Sequence, residues 1–126
     1  VLRRVLLWLL GLGLIAQGIN HFVSLDFFLR MMPAYLPAPA LLVQLSGVAE
    51  VLLGAAVLVP RTRRLAGYGV LALLVAVFPA NLEMALHPEA WPELPVWALY
   101  ARLPFQAVFA AWVWFTCLRG APSGPG

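Results

Sequence analysis

Four unbroken apolar runs, at residues 5–23, 40–59, 65–86 and 96–118, leave this chain few ways to fold. Each has about 19 to 23 residues, enough at about 1.5 Å per residue to cross a hydrocarbon core of about 30 Å. Of the 126 residues, 63% are hydrophobic and only 10% are charged, against about a quarter charged in an ordinary soluble domain. In a bilayer core every backbone N–H and C=O must be satisfied internally, so runs of this length are helices. The expected fold is all-α: a single four-helix transmembrane bundle over residues 1–119, followed by a Gly/Pro-rich disordered tail at 120–126. The first run follows two arginines, as in a signal peptide. Its apolar stretch continues to Val23 with no small-x-small cleavage site, so a retained first span is expected.

All eight cations are arginine. Arg3 and Arg4 precede the first run, Arg61, Arg63 and Arg64 lie between the second and third, and Arg119 follows the fourth. An even number of spans puts these three sites on one side. The positive-inside rule makes that side cytoplasmic, with both termini there, in a plasma (inner) membrane. The net charge of +3 therefore reports orientation in the lipid bilayer, and no nucleic-acid partner is expected. The single cysteine, Cys117, excludes an internal disulfide and the paired-thiol chemistry of quinone-coupled oxidation. It is expected to be a small apolar filler.

The three breaks differ in character. PRTRR is long enough only to turn, so the second and third spans are antiparallel neighbours. SLDFFLRMMPAYLPAP is aromatic and Met-rich, and Pro33, Pro37 and Pro39 forbid a long helix through it. It predicts either a short interfacial helix, about residues 26–32, capped near Ser24 or Asp26 and folded over the outer mouth of the bundle, or a loop that merely anchors at the headgroups. In HPEAWPELP, Trp91 (with Trp97 just beyond it) suits an interfacial aromatic belt. Gly47, Gly54, Gly67 and Gly69 allow close helix contact. Pro79 and Pro104 should kink their helices and free carbonyls near Val75 and Tyr100.

Polar side chains at membrane depth are costly and default to paired or functional roles. Counted from the ends of their runs, Gln17, Asn20, His21, Glu50, Asn81, Arg102 and Gln106 all fall in the outer half or at the midplane. Gln17, Asn20 and His21 are spaced by three and four residues and share a helix face. The seven residues predict one outward-facing polar pocket with Glu50 as its floor, and a Glu50–Arg102 ion pair is the sharpest expected contact. Hydrogen bonds that merely tie helices together are the alternative use of the same residues. No catalytic residue and no metal site is expected. His21 and His87 at helix ends make haem ligation conceivable but weak, and His21, His87, Glu83 and Glu89 lack tight ligand spacing for zinc or iron.

Three stretches in order, GINHFVSLDFFLRMMPAYLPAP, LSGVAEVLLGAAVLVPRTRRLAGYG and FPANLEMALH, resemble the DoxX-like family of small four-helix membrane proteins, over about residues 6–114. The Gly47-x-x-Glu50-x-x-x-Gly54 run before a Pro-Arg turn carries most of the resemblance. It implies a four-helix integral membrane fold and an association with quinone-linked redox complexes, without transferring a reaction. The expected function is a non-catalytic subunit or binding protein. Its pocket would take a small amphipathic, quinone-like molecule or a lipid, or it would serve a redox-complex partner or a homo-oligomer. The alternatives are a structural or assembly protein, and a proton-coupled small-solute transporter using Glu50, against which the apolar inner halves argue.

Overall fold

Prolines set most of the element boundaries in the computed structural model, which describes residues 1–32 and 35–119. Pro33 and the expected tail at 120–126 lie outside the described residues. Helix α1 spans Leu2–Val23 and the short α2 spans Leu25–Met31, broken only at Ser24. Pro39 occupies the first turn of α3 (Pro39–Leu58), where its missing N–H costs nothing. Thr62 precedes α4 (Arg63–Leu86), which stops at His87, before Pro88. A 3₁₀ turn, Pro88–Ala90, leads to α5 (Val96–Val113), which begins after Pro95 and finishes as a π turn, Trp114–Leu118. Among the described residues there is no strand, and four of the helices are long and apolar enough to cross a membrane. The fold is the expected all-α four-helix bundle with a short helix in the first break.

Lipid tails are as apolar as leucine, so helices in a membrane associate through close packing rather than hydrophobic exclusion. The tightest contact here is α1 on α3. A Cβ added at Gly18 would lie 2.5 Å from the Gly47 carbonyl oxygen, and one at Gly47 would lie 2.8 Å from that of Gly18. About two helical turns away, Gly11 and Gly54 meet the same way, at 2.9 and 2.6 Å. The two glycine pairs are seven residues apart on each helix, which keeps them on one stripe of an antiparallel crossing. Gly47 and Gly54 are as the sequence suggested, whereas their partners on α1 were not anticipated. Gly67 of α4 receives Cys117, whose Cβ would sit 2.7 Å from an added methyl group. Cys117 is buried, as its filler role requires.

The bundle closes most firmly at its arginine-rich end. Trp112 Nε1 donates to the Leu6 carbonyl at 3.0 Å and Arg3 to the Thr116 carbonyl at 3.2 Å, linking first and last helices. Arg64 donates to the Leu118 carbonyl, and Arg63 to those of Val57 and Leu58. One apolar cluster, around Leu10, Val57, Val70 and Val113, fills this end. A second, around Phe28, Val43, Met84, Trp91 and Leu99, fills the other.

Gly18→Ala and Gly47→Ala are each expected to destabilise the bundle by about 1–3 kcal/mol, measured by detergent-induced unfolding followed by circular dichroism. Gly13→Ala, whose Cβ would meet nothing within 4 Å, is expected to be neutral or stabilising. Equal effects at all three positions would discount the glycine contact.

Candidate functional site

Between the two apolar clusters lies a cavity of about 490 Å³, to which α1, α2, α3, α4 and α5 all contribute. Two polar groups line it. The first is set by the glycine contact, which presses the last turns of α1 against the middle of α3. His21 is buried there, with Nδ1 2.8 Å from the Gln17 carbonyl and 3.0 Å from Glu50 Oε2. A carbonyl oxygen can only accept, so Nδ1 carries a proton and both oxygens face it. Phe28 of α2 stacks on the imidazole, with centroids 4.1 Å apart and planes 12° from parallel.

The second group joins α4 to α5. Asn81 Nδ2 donates to Gln106 Oε1 at 2.8 Å, and Arg102 Nε donates to Asn81 Oδ1 at 3.1 Å. Gln106 Nε2 donates to the Leu74 carbonyl at 2.8 Å. That carbonyl lies one residue before Val75, whose helical donor Pro79 removes. The proline thus loosens the α4 backbone where a glutamine from α5 takes up a main-chain acceptor.

Six of the seven expected residues, Gln17, His21, Glu50, Asn81, Arg102 and Gln106, line this cavity. Asn20 does not: its Oδ1 accepts from Ser24 Oγ at 2.9 Å and completes the α1–α2 corner. At about 100° per residue, His21 falls about 40° from Gln17 but about 100° from Asn20, so a face holding the first two turns Asn20 away. The expected Glu50–Arg102 ion pair is also corrected. Glu50 pairs with His21 on the neighbouring, tightly packed helix, and Arg102 bonds to Asn81. Depth alone favoured Arg102, whereas helix adjacency decides the partner.

Sequence reasoning did not assign Ser46, Phe28, Met32 or Phe105 to the cavity. The aromatic and Met-rich composition of the first break was the available signal. Ser46 Oγ donates to the Leu42 carbonyl at 2.6 Å, a helix-internal bond rather than a nucleophile's arrangement. Gln17 on α1 and Trp97, Ala101 and Phe105 on α5 line the cavity yet are exposed, so it opens sideways between the first and last helices.

α2 lies across the far end of this opening and is held by Arg30. Its guanidinium bonds Glu93 at 2.6 and 3.3 Å and the Ala90 carbonyl at 2.8 Å, and sits 4.1 Å over the Trp91 ring. Phe27 meets Trp91 edge-on at 5.2 Å. Trp91 is buried by these contacts, not spread at an interfacial belt, while Trp97 is exposed. The second histidine, His87, is exposed at the C-terminal end of α4 and pairs with Glu83, four residues earlier, at 3.1 Å. Among the described residues no group of three or more His, Cys, Asp or Glu side chains could hold a metal ion.

Four apolar helices around a sideways-opening cavity define a multi-pass membrane protein. The chain belongs to the family described as a domain of unknown function, DUF8561, which matches residues 10–117. This corrects the DoxX-like resemblance, for which no family match is found. The stretches behind it, a glycine-spaced helix face, a Pro-Arg turn and a proline-kinked span, are packing devices that unrelated four-helix membrane bundles can share. No curated protein and no solved structure matches the chain.

The Arg30 hydrogen bond holds the Glu93 carboxyl below the usual carboxylate range, and the same bond raises Arg30. A depressed carboxylate keeps its pair above the ordinary value and loses it only as pH falls through the depressed one. Carboxyl-carbon NMR is expected to place Glu93 below the ordinary glutamate value of about 4.3, and Arg30→Gln to restore it. An unshifted Glu93 in the wild type would remove the latch.

Proposed function

We propose that this protein is a non-catalytic membrane subunit or binding protein that holds a small amphipathic molecule in the cavity between α1 and α5. The observation that carries this reading is the cavity's composition: hydrogen-bonding groups on two facing walls, with aliphatic and aromatic side chains from Leu14, Leu73, Val77 and Phe109 around them. About 490 Å³ falls within the range of about 300–1,000 Å³ usual for small-molecule sites, which pair an apolar lining with a few placed polar groups. A sideways mouth suits a guest that partitions into lipid, such as a quinone-like molecule or a single-chain lipid. The arginine-rich end faces the cytoplasm of a plasma (inner) membrane in this reading, and the cavity lies toward the opposite face.

One observation favours a second reading, in which the polar groups only fix helix packing. Among the described residues every buried side-chain nitrogen and oxygen has a hydrogen-bond partner. A purely structural cluster, however, has no need of a cavity beside it.

Mass spectrometry of molecules extracted from the purified protein separates the two readings. Wild type is expected to carry one amphiphile enriched over bulk lipid. Ala101→Phe, which fills the mouth without touching a hydrogen bond, is expected to lose it, as is Glu50→Gln in part. Equal bulk lipid in all three preparations would leave the structural reading.

A further inference from the structure

The charged groups around the cavity are not equally matched. Glu50 lies against His21 at 3.0 Å. Arg102 has no carboxylate within ion-pair distance among the described residues. Its one hydrogen bond to the described residues uses Nε, toward Asn81. Among the described residues neither terminal guanidinium nitrogen has a protein acceptor, and neither is sealed off, since no buried side-chain nitrogen there lacks a partner. The neighbouring amides are already engaged. Asn81 accepts from Arg102 and donates to Gln106, and Gln106 accepts from Asn81 and donates to the Leu74 carbonyl. On this wall the donors left for a guest are the two ends of one guanidinium, whose planar fork matches a two-oxygen anion.

We propose that the guest's head group is an anion, a carboxylate or a phosphate monoester on a single apolar chain, seated on the terminal nitrogens of Arg102. This rests on the reading of the cavity as a ligand site and specifies its chemistry. A half-buried cation at membrane depth without a counter-charge is costly, and an anionic head supplies the missing charge. A neutral carbonyl head would accept the same hydrogen bonds but leave the charge unbalanced. The apolar chain lies among Leu73, Val77, Phe105 and Phe109, leaving through the mouth beside Ala101.

The test titrates the delipidated protein, in a non-ionic detergent, with decanoate, decyl phosphate and decanol, read by calorimetry and thermal stability. Wild type is expected to bind at least one of the anions about 10- to 100-fold more tightly than decanol. Whichever of the two binds better identifies carboxylate or phosphate as the head. Arg102→Gln is expected to abolish the preference and Arg102→Lys to restore part of it, with decanol affinity unchanged in both. Decanol binding as tightly as both anions in wild type overturns the proposal while leaving the cavity a ligand site. So does an anion preference that survives in a folded Arg102→Gln. Binding of none of the three overturns the ligand site as well. The wild-type comparison decides the matter even where a variant does not fold.

Discussion

The His21–Glu50 wall of the cavity depends on the backbone-to-backbone contact of α1 with α3 through Gly11, Gly54, Gly18 and Gly47. Van der Waals attraction is short-ranged, so in lipid its yield depends on how closely two helix axes can approach. A Cβ at any of these positions would fall within 3 Å of a carbonyl oxygen on the other helix. The consequence for the site is direct. Glu50 sits three residues beyond Gly47, and His21 three beyond Gly18, so the contact that locks the helices also brings carboxylate and imidazole together. Widening the crossing by the radius of a methyl group would separate them.

A different device holds the opposite wall. α4 and α5 each contain an internal proline, Pro79 and Pro104. Gln106 reaches the α4 backbone at Leu74 and simultaneously accepts from Asn81. Two amides and a guanidinium thus form a linear chain of donors and acceptors ending on the Leu74 carbonyl, in which each bond strengthens the next by polarising it. One wall is held by shape and the other by hydrogen bonds. The space between them is what neither device fills.

Much of this was legible in sequence because bilayer thickness makes span length an almost sufficient signal. The runs at 5–23, 40–59, 65–86 and 96–118 became Leu2–Val23, Pro39–Leu58, Arg63–Leu86 and Val96–Leu118. Depth, counted along each helix, brought six residues to one cavity. Partnership was not legible, because depth says nothing about which helices are neighbours. Glu50 and Arg102 sit on opposite walls of one space, and only the glycine register shows that α1, not α5, lies against Glu50. Asn20 failed for a smaller reason, a rotation of about 100° that a three-and-four spacing hides. Trp91 failed because an aromatic near a membrane edge has two uses, facing headgroups or packing under an arginine, and the same composition serves both.

The arginines explain why the cavity is at one end only. A helix leaves its last carbonyls without internal partners, and near a membrane these need donors from elsewhere. Arg63 serves the end of α3 through Val57 and Leu58, while Arg3 and Arg64 serve the end of α5 through Thr116 and Leu118. Because Arg3 comes from α1 and Arg64 from α4, bonding to the α5 carbonyls draws three helices together at that end. Trp112 adds a bond to Leu6 in the same place. Both hydrogen bonds between the first and last helices lie there, and none joins them farther along among the described residues. Tied at one end, α1 and α5 are not joined at the other, where the short α2 reaches from His21 of α1, through Phe28, to the connection before α5, through Arg30 and Glu93. The cations read from the sequence as markers of orientation therefore also act as the hinge side of a wedge, and the cavity is the wedge's open part.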